Sequence, residues 1–450
     1  MEELQKAVEA AAASANAAWL LAASALVLFM TPGLAFFYGG MTRAKSVLNM
    51  IMMSFGSIAV VTILWVAYGY SLAFDDDAFG GLVGGLGKIG LKGVITDVPG
   101  ALPESIFSAF QLMFAIITVA LISGAIADRA KFGAWMVFAG VWATLVYFPV
   151  AHWVFAFDSD TAKGGWIANQ LGALDFAGGT AVHINAGAAG LALALVLGKR
   201  KGWPKESFKP HNLPLVLLGA GILWFGWFGF NAGSAVAANN LAGVAFMNTQ
   251  VATASALAGW LIVEKIRDKH ATTLGAASGA VAGLVAITPA AGAVNPVGAL
   301  ILGVLAGGIC ALAVGLKYRL GFDDSLDVVG VHLVGGLFGS LIIGLLATET
   351  VTGGANGLFY GGGFTQLGKQ AVAAFSVLAY SFVLTYIIGF IIDKTMGFRV
   401  DEETEVEGID TGVHAESAYD FVSGSSVRSA LSSSSPAQTS VREAAPAGKE

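Results

Sequence analysis

The sequence predicts an all-α integral membrane protein of eleven transmembrane helices, built as an inverted repeat of two five-helix halves related by a pseudo-two-fold axis. Three observations support this fold class. Only 12% of the 450 residues are charged and 56% are apolar, whereas soluble proteins carry about 25% charged residues. The charges cluster between apolar runs of about 18–25 residues, the length a helix needs to cross a bilayer. Finally, one polar pattern recurs once in each half of the chain.

The apolar runs place the individual helices. Residues 1–18 are acidic and lack the basic start of a secretory signal, so we expect them to form an external segment before a retained first span. Residues 19–393 form the transmembrane domain, with repeat halves at about 19–198 and 213–347 and a final helix. The predicted spans are 19–41, 48–73, 105–127, 132–156, 178–198, 213–233, 243–264, 273–289, 294–316, 328–347 and 369–393.

Lysine and arginine predict the orientation. Sixteen of the 24 basic residues lie near membrane ends on the side that follows the odd-numbered spans, five lie on the other side, and three lie in the far tail. Basic residues are enriched on the cytoplasmic side. We therefore expect a cell-membrane protein with its N-terminus outside and its C-terminus in the cytoplasm.

The remaining composition narrows the function classes. The net charge of −6 comes with no basic face, so nucleic acid is not an expected partner. Cys310 is the single cysteine, which excludes an intrachain disulfide. Residues 394–420 form a mixed, acidic tail, and residues 421–450 are rich in Ser, Ala and Pro, which predicts disorder.

The recurring pattern is Asp-x7-His. It reads Asp175-Phe-Ala-Gly-Gly-Thr-Ala-Val-His183 in the first half and Asp324-Ser-Leu-Asp-Val-Val-Gly-Val-His332 in the second. Each copy runs into an apolar helix, and the two helices enter the membrane from opposite sides. This arrangement is typical of inverted repeats, which place functional groups near the midplane.

Three histidines lie within predicted spans, where ionisable groups are functional candidates. We interpret His152 as a hydrogen-bonded packing residue and the symmetric pair His183 and His332 as functional. A metal site is the alternative, but no third or fourth ligand lies nearby, so we predict no metal and no cofactor. Asp175 and Asp324 precede helices, where a capping role is the simpler interpretation.

Four phenylalanines lie near the outer halves of spans 3, 4 and 6. Most phenylalanines in such a protein pack in the core or face lipid, yet rings at a pore mouth attract cations. Intramembrane amides at Gln111 and Asn231 more often join helices than bind ligands. The four rings are Phe110, Phe114, Phe155 and Phe230.

From about residue 19 to about 420 the chain resembles the ammonium transporter (Amt, Mep and Rh) family. Four segments carry the resemblance, and the one that begins at Asp175 is close to a family signature. They are Phe29-Met-Thr-Pro-Gly-Leu-Ala-Phe-Phe-Tyr-Gly-Gly40, Asp175-Phe-Ala-Gly-Gly-Thr-Ala-Val-His-Ile-Asn185, Gly226-Trp-Phe-Gly-Phe-Asn-Ala-Gly-Ser234 and Gly330-Val-His332.

The resemblance implies roles for named residues. Phe114 and Phe230 are similar to the stacked rings that gate the pore, and His183 and His332 to the twin histidines that line it. The resemblance also implies that four residues recruit the cation. Asp175 would support the outer site, the Ser234 hydroxyl would accept a hydrogen bond from the cation, and Phe110 and Phe155 would form part of the vestibule wall.

One position departs from the family pattern. Many bacterial members carry Trp where this chain has Phe155, and Trp153, two residues away on a helix, points elsewhere. Because a phenyl face binds cations more weakly than an indole, the outer site is expected to be weaker here.

The resemblance also implies a non-enzymatic mechanism and partners. Ammonium, or methylammonium as its analogue, would be recruited outside, lose a proton near the phenylalanines and pass the histidines as ammonia. A homotrimer with one pore per subunit is implied, as is a PII-type signal protein on the cytoplasmic face.

Two other function classes stay open at this point. A secondary transporter of amino acids would need paired intramembrane charges, and no Arg or Lys lies in the interior of a predicted span; Lys369 stands at the first position of the last one. A membrane-embedded ammonium sensor would be expected to add a long signalling domain, whereas the tail here is short.

Overall fold

The computed structural model describes residues 1–96 and 101–419. In these residues, ten helices are long and apolar enough to cross a membrane, and an eleventh apolar helix is shorter. The predicted all-α membrane architecture is confirmed, with span boundaries close to those expected. The helices are α1 Glu2–Met41, α2 Val47–Phe74, α3 Glu104–Ile126, α4 Phe132–Phe155, α5 Gly179–Leu197, α6 Leu213–Gly233, α7 Asn240–Asp268, α8 Thr273–Ile287, α9 Pro296–Leu320, α10 Val329–Leu346 and α11 Thr365–Met396.

The short helix, α8, has 15 residues and ends inside the protein. Pro289 follows its end, where a helical position would clash with the preceding turn. The chain then turns through residues 288–294, all of which are buried. Irregular backbone is tolerated at membrane depth only where protein covers it, and here it is covered.

The first helix starts earlier than expected. Residues 1–18 were predicted to be a segment outside the first span, but α1 continues without a break back to Glu2. The added turns are rich in alanine, the strongest helix former. Lys6 and Glu2, one turn apart, also pair at 2.7 Å on the exposed surface.

A small β-hairpin, which the sequence did not predict, follows α2. Strand β1, Asp77–Ala78, pairs antiparallel with β2, Val83–Gly84. The turn between them contains Gly80 and Gly81 at positive φ, a conformation that glycine adopts without steric cost. This hairpin marks one membrane face, which we call the hairpin side.

The packing of the helices repeats when every helix number is raised by five. The pairs α1–α2, α1–α3, α2–α3, α2–α4 and α3–α5 are in contact, and so are α6–α7, α6–α8, α7–α8, α7–α9 and α8–α10. An exchange of each helix with the one numbered five higher or lower maps the pairs α1–α6 and α5–α10 onto themselves, and both pairs also pack together. The two halves are therefore related by a pseudo-two-fold axis that passes between α5 and α10.

The C-terminal segment folds back onto the face opposite the hairpin, which we call the tail side. It contains a short helix, α12, Glu402–Glu407. Phe398 and Ile409 are fully buried, and the Asp410 carboxylate accepts backbone N–H groups of Leu48 at 2.9 Å and Asn49 at 2.8 Å. The tail thereby caps the start of α2. The predicted disordered segment 421–450 lies outside the described residues.

A buried ionic network ties the tail-side loops together. The Arg200 guanidinium donates two bonds of 2.9 Å to Asp323 and one of 3.1 Å to Asp128. Arg129, also fully buried, donates to the Ser325 hydroxyl at 2.6 Å. Burial lowers the pKa of Arg129 to about 10, so its charge persists at neutral pH. These bonds fix the loops before α4, α6 and α10 to each other.

Candidate functional site

Two aspartates fix the starts of α5 and α10. The Asp175 carboxylate accepts the backbone N–H groups of Gly178 at 2.9 Å and Thr180 at 2.7 Å. Asp324 accepts those of Val328 at 3.0 Å and Val329 at 2.8 Å. Both carboxylates thus cap the starts of their helices, although neither occupies the N-cap position: Asp175 lies four residues and Asp324 five residues before its helix.

Two glycines bring these helices together. Gly187 and Gly336 each follow a motif histidine by four residues, which extends the repeated pattern. A Cβ on Gly187 would lie 2.4 Å from the Leu333 backbone nitrogen, and one on Gly336 would lie 3.0 Å from the His183 Cβ. Because these two positions have no side chain, the helical turns that carry His183 and His332 can come into contact.

The two histidines meet where α5 and α10 cross. Their Nδ1 atoms are 3.3 Å apart, and their ring centroids are 5.4 Å apart with 29° between the planes. His183 is fully buried and His332 is 3% exposed. Two neutral imidazoles at this distance share one proton between facing nitrogens, so one ring donates and the other accepts.

A row of rings leads from the hairpin side to this pair. Phe110 and Phe114 of α3 have centroids 4.8 Å apart, and Phe114 lies 4.2 Å from Phe230 of α6. Phe230 is in turn 6.2 Å from His183, with the two planes 17° apart. All three phenylalanines are only 1% exposed, so the rings are packed tightly against one another and their neighbours.

The Phe114–Phe230 contact separates two cavities of very different size. On the hairpin side lies a cavity of about 370 Å³, lined among others by Phe114, Phe155, Asp175 and Ser234. Beyond the rings lies a cavity of about 10 Å³ lined by Phe230, both histidines and aliphatic side chains. This is about the space of one water molecule. We call them the wide cavity and the narrow cavity.

The wide cavity offers oxygen atoms and a ring face to a small cation. Ser234 donates its proton to the Phe230 carbonyl at 2.9 Å, so its remaining lone pairs can accept hydrogen bonds. Asp175 is half-buried at the rim. Gln111, a residue type that more often joins helices, instead lines this cavity, and its side-chain amide forms no hydrogen bond with any described residue. Phe110 lies behind Phe114 and does not line it.

Other residues named from the sequence have packing roles. His152 is fully buried and bonds to the Ala73 carbonyl at 3.0 Å and to Asp77 at 3.1 Å, which confirms its structural interpretation. Trp153 turns away from the cavity and donates to the Leu82 carbonyl at 2.8 Å. Asn231 joins α6 to α7 through the Thr249 hydroxyl at 2.9 Å.

Two residues at the site were missed by sequence reasoning. Trp227 lines the narrow cavity with its ring 5.4 Å from His183. Its indole N–H donates to the Thr288 hydroxyl at 2.8 Å, and that hydroxyl lies 3.4 Å from Nε2 of His183. Thr288 lies where α8 ends, directly before Pro289. A proline that interrupts an apolar run was the sequence signal that could have indicated this position.

The fold and the site define the class of protein: a multi-pass membrane protein whose pseudo-two-fold helix bundle encloses a small, mostly apolar cavity beside two histidines. The model of the Ammonium Transporter Family matches residues 18–419, and the chain belongs to that family. It is 63% identical over 431 residues to a protein of Mycobacterium tuberculosis named ammonium transporter, covering 90% of each chain.

Solved structures agree with this assignment. The crystal structure of Saccharomyces cerevisiae Mep2 is 37% identical, with a TM-score of 0.78, covering 86% of this chain and 88% of Mep2. A structure described as a sensor Amt protein is 27% identical, with a TM-score of 0.83, covering 92% of this chain and 99% of the sensor chain.

Proposed function

We propose that the chain transports ammonium across the cell membrane by conducting it as ammonia through one pore per subunit. The observation that supports this most is the order of the site: a wide cavity with cation acceptors, a closed ring pair, and a narrow cavity that holds two histidines. A small cation enters the wide cavity, and only a small neutral molecule fits the narrow cavity.

Recruitment takes place in the wide cavity. The cation lies against the face of Phe155 and donates to the Ser234 hydroxyl. Asp175 acts from the rim, both through its charge and by holding the start of α5. Its carboxylate already accepts several backbone N–H groups, which favours an indirect role over direct contact.

Selectivity follows from the narrow cavity. Moving a bare cation into an apolar space costs tens of kcal/mol by Born estimates. Potassium has no means to reduce this cost, whereas ammonium can leave a proton near Phe114 and Phe230 and pass as ammonia. A positively charged histidine pair would suffer both desolvation and mutual repulsion, so we assign both rings as neutral.

The arrangement in the cell is part of this proposal. The hairpin side faces outwards and the tail side faces the cytoplasm, as the basic residues predict. Residues 394–420 form a cytoplasmic regulatory tail. A homotrimer and a PII-type partner on the tail side remain expectations from the family resemblance.

Uptake of labelled methylammonium tests the function. Cells that lack other ammonium transporters are compared with and without this protein, at equal membrane expression. We expect saturable uptake that ammonium inhibits. Uptake equal to that of the empty cells, with the protein present in the membrane, would refute transport.

The likeness to the sensor Amt protein favours a second candidate, ammonium sensing. A sensor would bind methylammonium without moving it. Purified protein that binds the labelled analogue but does not carry it into liposomes would support sensing instead of transport.

A further inference from the structure

We propose that Thr288 is a positioning residue that fixes which nitrogen of each pore histidine carries the proton. It lies in the first turn after α8 and is fully buried. The consequence for conduction rests on the function proposed above. The assignment of protons to ring nitrogens rests only on hydrogen bonds within the protein.

The Thr288 hydroxyl has one proton and two lone pairs. The indole N–H of Trp227, 2.8 Å away, can only donate, so it occupies one lone pair. The Leu284 carbonyl, 2.7 Å away, can only accept, so it takes the proton. A single lone pair remains for the third neighbour, Nε2 of His183 at 3.4 Å.

The end of α8 explains why the proton goes to Leu284. In a regular helix the backbone N–H of residue 288 would bond to the carbonyl of residue 284. Here the Thr288 N–H bonds to the Val285 carbonyl at 3.3 Å instead. The Leu284 carbonyl, buried in the protein, therefore depends on the Thr288 hydroxyl, and a buried acceptor without a donor is costly.

The proton positions then follow in order. Nε2 of His183 carries a proton and donates it to Thr288. Since the ring is neutral, its Nδ1 is bare and accepts from Nδ1–H of His332 across 3.3 Å. His332 is left with a bare Nε2, which has no hydrogen-bond partner among residues 1–96 and 101–419. The pair thus offers the narrow cavity one lone pair, on His332.

This polarity suits a conducted ammonia molecule. Ammonia has N–H groups to donate, and the bare Nε2 of His332 accepts one of them. A potassium ion needs several oxygen or nitrogen atoms in place of its water shell, and a single lone pair does not replace them. Thr288 acts through His183 and His332 without touching the substrate.

Solid-state NMR of protein labelled with 15N-histidine, in lipid bilayers, tests the assignment. Proton-bearing and bare ring nitrogens give distinct resonances, and the His183 signals are identified by their loss in His183→Asn. In the wild type we expect Nε2 of His183 and Nδ1 of His332 to be proton-bearing. Proton-bearing Nδ1 on His183 would overturn the proposal.

Three variants separate positioning from packing. Thr288→Val keeps the shape but removes the hydroxyl. It should lower the ratio of the Nε2–H tautomer of His183 to its Nδ1–H tautomer by about two- to tenfold, the value of one hydrogen bond. Thr288→Ser should retain the wild-type ratio. Thr253→Val is the matched control, since Thr253 is also buried and donates to the carbonyl four residues earlier. An unchanged ratio in Thr288→Val would overturn the proposal.

Methylammonium uptake into the same liposomes keeps the two proposals apart. If the wild type shows the assigned tautomers but carries no methylammonium, the proposed function fails and the role of Thr288 in proton placement stands. If uptake occurs with the opposite tautomers, only the Thr288 proposal fails. Where both hold, Thr288→Val should slow uptake by up to about tenfold.

Discussion

Phe155 is the residue at which the recruitment hypothesis is easiest to test. Its ring lines the wide cavity beside Asp175 and Ser234. Cation–π attraction contributes about 0.5–1 kcal/mol at exposed sites, and an indole ring attracts a cation more strongly than a phenyl ring. Phe155→Trp should therefore lower the half-saturating ammonium concentration by up to about fivefold, measured by uptake at equal protein level. Phe225→Trp, on the exposed face of α6, is the control.

Ser234 should show the opposite effect in the same assay. Its hydroxyl proton is used by the Phe230 carbonyl, so what it offers the cation is a lone pair. A hydrogen bond to a charged group contributes about 1.5–3 kcal/mol. Ser234→Ala should raise the half-saturating concentration about tenfold or more. If neither Phe155→Trp nor Ser234→Ala changes the half-saturating concentration, the cation site lies elsewhere.

The proposed role of the two histidines in selectivity can be tested by adding a charge at either position. A carboxylate at either position would put a fixed negative charge in the narrow cavity and stabilise an intact cation there. We expect His183→Asp or His332→Asp to admit potassium, which the wild type excludes, while His→Ala at either site alters conduction without preventing assembly. Potassium flux and methylammonium uptake are measured in the same vesicles.

The control for these variants is His270→Asp, which adds the same charge on an exposed loop. It should leave both fluxes as in the wild type. Unchanged potassium exclusion in both pore variants would mean that His183 and His332 only pack against each other.

At the scale of the helices and loops, the buried ionic network makes a prediction about stability. Asp323 is fully buried and accepts three hydrogen bonds from Arg200. Removing one partner of a buried pair costs about 3–5 kcal/mol, because the other charge stays buried. Asp323→Ala should therefore markedly lower the thermal unfolding temperature of the purified protein.

An exposed ion pair on the same face provides the matched control. Lys201 and Glu402 are 2.6 Å apart with side chains 49% and 67% exposed. Such pairs contribute about 0–1 kcal/mol, so Glu402→Ala should have little effect. Equal loss in both variants would show that the Asp323 network is not what holds the loops.

The same scale shows what the sequence can predict. Apolar runs gave the helices because length and hydropathy are local properties. The position of the α8 turn at Thr288 and the Phe114–Phe230 stack depend on which helices become neighbours. A local sequence pattern does not predict which helices pack together. The Asp-x7-His repeat did predict a contact between distant residues. Its two copies occupy equivalent positions in the two halves, and the pseudo-two-fold axis brings those positions together. Roles for Phe155 and Ser234 came only from family resemblance.

For the whole molecule, the orientation is directly testable. A reporter that is active only outside the cell should be inactive when fused after Arg399 and active when fused before Met1. The reason is the excess of Lys and Arg on the tail side. Activity of the Arg399 fusion would reverse the assignment of the two faces, and with it the direction of recruitment.

The tail offers the last prediction, which concerns how the molecule is held together. Its described part is not a loose extension: Arg399 bonds to Glu405 at 2.6 Å, and Glu405 accepts the Lys201 N–H at 2.7 Å. Deleting from Arg399 would remove these bonds, leave α2 without the Asp410 cap and expose apolar surface that Ile409 covers. We expect this deletion to impair methylammonium uptake, by loosening the tail-side loops and their coupling between subunits. Removal of residues 421–450 spares every one of these contacts and should leave uptake intact. The assay compares both truncations at equal membrane expression, and equal activity would mean that the tail is inert.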